Sequence, residues 1–462
     1  MNCMETKARP GSLCIERLAA LTMADLPPAT QEQAARVLLD NLACGFHAAD
    51  LPWGRIIADH VIEEGSSGGA TVFGRKESIG PAGAATANGT AIHGFELDDI
   101  ILGSLAHPGT VVVPAALAIA EHTGASVERL LLGIVAGYEM MARLGAALGE
   151  DCNTRGFHTT GVAGAIAAAV AAGVVLGFDA DTLKNAIGIA CSSASGIKAF
   201  TQGTGGMVKR LHGGHASGCG VTAVQLAARG FTGPMEALDG RYGLLEVIGG
   251  PTAEANLLYD GWGENWAIGR VWTKVYSCCG VIHSAMNAIE IIRTRDGVSA
   301  ADVKTLHIGI GKRAVEQNGE RAPKEAMSAQ YSLPFCAAVA ITGDIRDPGS
   351  FDQDKLSDPT VLAMIPRVIT EVDAEVHKAY PQLFGAKVTI ETLDGSRFAE
   401  TIWNAHGTAA SPCSDEEIFT KFNRMTATCM TDATRQAVLD AVQGIANGSG
   451  SVQSLSRAMR GA

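Results

Sequence analysis

GVAGAIAAAVAAGVVLGF, residues 161 to 178, runs without a charged side chain for about the length that crosses a bilayer. Two readings compete for it, a membrane span and a helix buried inside protein. Alanine and glycine dominate the run, and their transfer into lipid gains little. Nothing beside it resembles a membrane anchor. A buried core helix follows, and no membrane partner is expected.

The same texture surrounds it. Hydrophobic residues make up 47% of the 462-residue chain and aromatic residues only 5%, a mix that suits close-packed helices with small side chains at their contacts. Disorder would need a charged, apolar-poor chain. This length offers chain for about two to four domain-sized units. The first half reads as successive helices. Thr30-Gln31-Glu32-Gln33 is a capping-box pattern opening a helix through Val37, Leu38, Leu42 and Phe46. Further helices are expected over Gly83 to Asp99, Val111 to His122, Ser126 to Leu148, Thr160 to Leu176, Asp181 to Ser195 and Leu211 to Arg229.

Past about Trp272 the pattern changes. A helix over Ser284 to Arg295 leads to Val303–Ile310, whose alternation and β-branched residues predict a half-buried strand. Arg367 to Val372 reads as a second strand. Lys387 to Leu393 and Arg397 to Ile402, joined by Asp394-Gly395, read as a β-hairpin. After Ser414 the chain returns to helix, with Asp415, Glu416 and Glu417 in its first turn. The expected fold is mainly α: a large all-helical domain, residues 1–267 plus 406–462, with a smaller α+β lid domain at 268–405.

The net charge of −12 argues against nucleic acid, whose phosphates need a basic face. An acidic substrate is still compatible if cations gather locally. The 11 cysteines, from Cys3 to Cys429, contain no C-x-x-C pair and no disulfide-like rhythm, which predicts a reduced, cytoplasmic protein. Met1 to Pro10 is polar and Leu18 to Met23 is too short for an apolar signal core, so no leader is expected.

Four segments set titratable residues into small apolar surroundings. In NGTAIHGFELDD (88–99), His93, Glu96 and Asp99 share a face if the segment is one helix, with Asp98 pointing elsewhere. A solvated helix end is the plain alternative, at even odds. His107-Pro108-Gly109-Thr110 precedes an apolar helix, whose unpaired N–H groups favour an anion. Gly156-Phe157-His158-Thr159-Thr160-Gly161 repeats the arrangement. Either histidine alone would more often be a cap or turn residue; two together favour a site. Lys209-Arg210-Leu211-His212-Gly213-Gly214-His215 gathers cations in an acidic chain, where a surface loop is the plain reading about one time in three. Lys274 to His283 adds a lysine, the thiols Cys278 and Cys279, and a histidine.

Other chemistries fit poorly. Gly203-Thr204-Gly205-Gly206 lacks the strand-turn-helix setting of a dinucleotide fingerprint. No P-loop occurs, and no nucleophile elbow is expected. No H-E-x-x-H or clustered ligand pair predicts a metal, and Cys191, Cys219 and Cys278 would meet around an iron–sulfur cluster only by tertiary accident.

Taken in order, NGTAIHGFELDD, AHPG (106–109), GFHTTGVAGA (156–165), VKRLHGGHASGCG (208–220), KVYSCCGVIHSAMNAI (274–289) and the weaker AQYSLPF (329–335) resemble the MmgE/PrpD family of 2-methylcitrate dehydratases, cis-aconitate decarboxylases and iminodisuccinate epimerases. The resemblance spans nearly the whole chain. It implies a large helical domain with a smaller α+β lid, a homodimer, and a cofactor-free site between the domains. His107, His158 and Lys209 match positions that line the family's site and are the expected catalytic residues. Asp98 and Asp99 belong to its acidic signature. Lys274 matches a basic site residue, and Glu96, Asp99, Arg210, His212, Lys274, Cys279 and His283 are expected to contact substrate.

Three departures stand out. Glu96 replaces a common aspartate, Phe335 a common tyrosine, and Cys279 falls where a decarboxylase would carry histidine. The shared chemistry is proton removal next to a carboxylate. Lys209, Lys274 and the helix N-termini would stabilise the charge. His158 or His107 would act as base, the other helping the hydroxyl to leave. The sequence alone puts dehydration of a 2-methylcitrate-like acid first, then epimerisation of an iminodisuccinate-like dicarboxylate. Decarboxylation and a non-catalytic metabolite binder follow.

Overall fold

A computed structural model describes residues 9–65, 67–201 and 206–461. Cys3 and Gly203 to Gly205 lie outside the described residues.

The chain divides into two compact units, one comprising residues 1–94, 98–271 and 418–462, the other residues 95–97 and 272–417. The architecture is mainly α, with a small sheet in the C-terminal part.

At the centre of the first unit stands the helix Thr159–Leu176, every residue of which is buried except the last. It packs against the helices Gly109–Thr123, Val127–Ala147, Ala180–Cys191 and Met207–Ala227. Among the described residues two helices, Val127–Ala147 and Thr159–Leu176, are long and apolar enough to cross a membrane, yet 94% of the apolar window of each is buried inside protein. Small residues make this packing possible. A side chain at Gly214 would collide with the Thr86 carbonyl and the Thr90 hydroxyl, so only glycine lets Met207–Ala227 lie this close to Pro81–Ile92. Each fully buried Val, Leu or Ile in such contacts contributes about 1.5–3 kcal/mol.

Several helix boundaries differ from expectation, among them the helix expected to run to Ser195, which ends at Cys191. The helix Pro28–Ala49 begins two residues before Thr30, because Pro28 occupies the first helical position, where its missing N–H is no loss. Met207–Ala227 likewise starts ahead of Leu211. The helix expected to reach Asp99 is Pro81–Ile92, followed by one 3₁₀ turn over His93–Phe95. Glu96 then takes a left-handed conformation at φ 55°, so Asp98 and Asp99 lie beyond the helix. A two-stranded ribbon, β1 (Ser67–Thr71) with β2 (Ser78–Ile79), accompanies the helices.

In the second unit, β3 (Val303–Ile310), β4 (Val368–Val372), β5 (Ala386–Thr392) and β6 (Arg397–Ile402) form one sheet in the order β4-β3-β5-β6. β3 pairs parallel with β4; the other pairings are antiparallel. Alternate residues of β5 are buried, as the period of 2 requires. The Asp394-Gly395 turn closes the β5–β6 hairpin, with the Thr392 amide donating to the Ser396 carbonyl at 2.9 Å. The helix His283–Asp296 packs on β5 and β6.

Candidate active site

The aspartate pair decides the geometry of the first unit. Asp98 is fully buried and accepts a hydrogen bond from His93 Nδ1 at 2.6 Å on Oδ2. His107 Nδ1 approaches the same oxygen at 3.2 Å, off the alignment of a full hydrogen bond. Burial opposes a charge here, but His107 and His93 together hold the Asp98 carboxyl well below the usual carboxylate range. Asp98 therefore does the opposite of what helical periodicity implied: it faces His93. The clue in the sequence was Gly94, a residue that ends helices.

Asp99 turns away from this pair. Its Oδ1 accepts from the Gly109 amide at 2.9 Å and its Oδ2 from the Tyr138 hydroxyl at 2.5 Å. Asn41 donates to the same hydroxyl at 3.3 Å. Burial raises the Asp99 pKa to about 7, with Asp40 adding to the rise and the two hydrogen bonds opposing it. Asp99 thus ties down the first turn of Gly109–Thr123, the helix that follows His107.

Two further histidines complete the cluster. The His158 ring lies nearly parallel to His93, centroids 5.9 Å apart, and His93 meets His107 edge-on at 4.8 Å. His158 immediately precedes Thr159–Leu176, but its side chain makes no capping bond, which removes the plain cap reading. Its Nδ1 lies 3.0 Å from His212 Nδ1. Burial pushes His93 down to about 4, against the pull of Asp98. Burial and then His93, Lys209 and His212 push His158 well below the usual imidazole range. His212 is lowered by burial, His215 and Lys209. His93, His158 and His212 are therefore neutral near pH 7, and Lys209, itself buried, adds positive potential among them.

Arg210 is engaged elsewhere in this unit. Its Nε donates to the Gly94 carbonyl at 2.7 Å and its guanidinium stacks 3.8 Å over the Trp53 ring.

The remaining expected residues belong to the second unit. Lys274, 1% exposed, donates to the Glu96 carbonyl at 3.1 Å and sits 3.7 Å from its carboxylate. Cys279 is raised by burial and by Glu96, so its thiol stays protonated, and its amide donates to the Gln330 carbonyl at 2.9 Å. His283 is wholly buried, 3.1 Å from the Cys278 carbonyl, and packs edge-on to Trp272 and Tyr276. Phe335 lies in apolar core against Phe351, ring centroids 6.3 Å apart.

Among the described residues, two sets of donors are close enough to share a cation, within 4.8 Å of one another: His93, Asp98 and His107 in one unit, and His406, Cys413 and Glu417 in the other. In both, carboxylate and imidazole are already hydrogen-bonded at 2.6 Å, and the first set reads as an acid–base array. A separate 480 Å³ hollow is lined by Arg9, Lys184, Glu236 and Asp239. Its cations are paired, Arg9 with Glu236 at 3.0 Å and Lys184 with Glu16 at 2.8 Å. Its lining holds no histidine.

The first unit is thus a helical domain that carries a buried histidine–carboxylate–lysine cluster. Residues 16–255 match the MmgE/PrpD N-terminal domain and residues 276–445 the MmgE/PrpD C-terminal domain, so the chain belongs to the MmgE/PrpD family. It is 27% identical over 444 residues to a cis-aconitate decarboxylase of Aspergillus terreus, covering 91% of this chain and 90% of the relative. Human (Homo sapiens) cis-aconitate decarboxylase is 24% identical, covering 90% and 87%. The 2-methylcitrate dehydratase of Salmonella typhimurium is 23% identical, covering 79% of each chain. All three relatives are lyases by name, which supports an enzyme of the lyase kind.

Proposed function

We propose that this chain is a lyase acting on a small tricarboxylate, with proton transfer carried by the histidine cluster and carboxylate charge met by Lys209. The observation that carries the reading is the Asp98 carboxylate facing two imidazoles, His93 at 2.6 Å and His107 at 3.2 Å. A buried anion at Nδ1 fixes a histidine's tautomer and orientation and leaves Nε2 for chemistry. Near pH 7 His158 and His93 are neutral, so each has a ring nitrogen free to act as a base, while burial disfavours a lasting charge on either.

The sequence alone put dehydration first. The relatives favour decarboxylation of a cis-aconitate-like acid, because the two decarboxylases match at higher identity and over more of the chain than the dehydratase. In that reaction the bond to one carboxyl breaks and carbon dioxide leaves. Its electron pair forms the shifted alkene, and the former alkene carbon takes a proton from a histidine. Dehydration remains the second reading, favoured by Cys279 at the place where a decarboxylase would carry histidine. There a base removes the proton beside a carboxylate, and an acid protonates the departing hydroxyl.

Incubation with cis-aconitate, 2-methylcitrate and citrate in deuterated water, followed by NMR and carbon dioxide release, separates the two. Carbon dioxide with one deuterium in the product supports decarboxylation; a new alkene from a hydroxy acid supports dehydration. Lys209→Ala is expected to abolish either. Absence of turnover across the three acids, or full activity in Lys209→Ala, defeats the proposal.

A further inference from the structure

We infer that His212 is the proton-relay partner of His158, carrying each proton between the buried ring and the surface. The inference rests on the lyase reading above and adds the route its protons take. Two ring nitrogens 3.0 Å apart, both Nδ1, can hold one proton between them. With both rings neutral, the pair has two arrangements. In one, His158 Nδ1–H donates to His212, leaving His158 Nε2 bare and His212 Nε2 protonated. In the other, His212 Nδ1–H donates to His158, so His158 Nε2 carries the proton and His212 Nε2 is bare.

Conversion of one arrangement into the other moves one proton through the pair. When His158 Nε2 gives a proton to carbon, its Nδ1 takes the shared proton from His212, and His212 Nε2 reloads from solvent. Proton removal from carbon runs the same steps backwards. No ring is left charged at the end. That matters because an imidazolium at His158 would be buried beside Lys209, with His93 and His107 also facing it. His215, on the same helix as His212, adds to the disfavour there.

The geometry holds the pair in register. His158 is 8% exposed, whereas His212 is only half-buried and has a way to water. Phe200 packs edge-on against both rings, 5.3 Å from His158 and 5.7 Å from His212. The Gly196 carbonyl accepts the His158 amide at 2.9 Å from a backbone at φ 132°, a conformation glycine adopts readily. His212 stands one turn after Lys209 on Met207–Ala227, so the relay and the cation that would hold substrate share one helix face.

The test uses the full-length chain. Nitrogen-15 NMR of histidine-labelled wild type should show one protonated and one bare Nδ1 coupled through the hydrogen bond. Loss of that coupling in His212→Asn assigns it; absence of the coupling in wild type overturns the pair. His212→Asn keeps a polar side chain but cannot pass a proton. Its kcat on the acid that wild type turns over is expected to fall about 10²-fold, with KM changed only a few-fold. His212→Ala should recover rate with added imidazole, and His212→Asn should not. Turnover by wild type with His212→Asn unimpaired overturns the relay alone. Failure of wild type on every acid sinks the lyase reading, and the relay with it.

Discussion

Asp98 and Glu96 are two carboxylates two residues apart, each buried against nitrogen bases, yet they belong to different units and differ in kind. Asp98 meets titratable partners, His93 and His107, whose protons can move. Glu96 meets Lys274, whose ammonium is engaged on both the carbonyl and the carboxylate of that one residue. The first arrangement places protons on imidazole nitrogens that can both donate and accept, although burial makes a charged His93 costly. The second is a matched charge pair that resists change. The proposed proton chemistry falls where the buried charge faces imidazole, whereas Lys274 and Glu96 form a matched buried ion pair.

Asp98→Asn breaks that contrast most severely. The amide cannot hold two imidazoles by charge, and His93 and His107 lose their common orientation. Turnover is expected to fall about 10³–10⁴-fold while circular dichroism and melting stay near wild type. Retention of a tenth of the activity would show that Asp98 is packing. Lys274→Ala is expected to act in the other currency. Removal of one partner from a buried pair leaves Glu96 uncompensated, at a cost of about 3–5 kcal/mol in denaturant unfolding. Recovery of much of this loss in the double variant with Glu96→Gln would confirm the pair; simple additivity would argue against it.

Asp99 sharpens the comparison through pH. Its folded pKa, about 7, lies above the unfolded value near 3.8. Its contribution is thus fully present below about pH 4 and is lost as pH rises through 7. Asp99→Asn does not titrate, so wild type should lose roughly 3 kcal/mol relative to it between pH 5 and 8. His93 runs the opposite way, because its pKa is depressed to about 4. His93→Gln should therefore remove a loss of stability seen as pH falls from about 6.5 toward 4. Urea titrations at four pH values read both slopes.

Helix and strand were legible where one period dominates. Thr159–Leu176 and β3 match their expected spans to within a residue, because packing and local preference agree there. The candidate residues could be picked out singly from the sequence, but their arrangement could not. His93 and Asp98 look unrelated on a helical wheel, and they meet only because the helix stops at Ile92 and Glu96 turns left-handed. The His158–His212 bond joins residues 54 positions apart, which no local pattern encodes. Tyr138 and Phe200 were missed for the same reason: each reads as ordinary apolar filling until its partner is known.

Phe335 offers the smallest and finest test. The family resemblance places a tyrosine here, and a hydroxyl at this position would be a proton donor if the site needed one. Phe335 instead opens no polar contact: it is 0% exposed, packed near Phe351 within the apolar helix Leu333–Thr342. Phe335→Tyr would bury an oxygen that must find a partner or go unsatisfied, at about 1–3 kcal/mol. A small loss of stability with unchanged turnover is the expected result. A rise in kcat would mean that the added hydroxyl reaches the reacting acid, and would place this position in the chemistry from which its present packing excludes it.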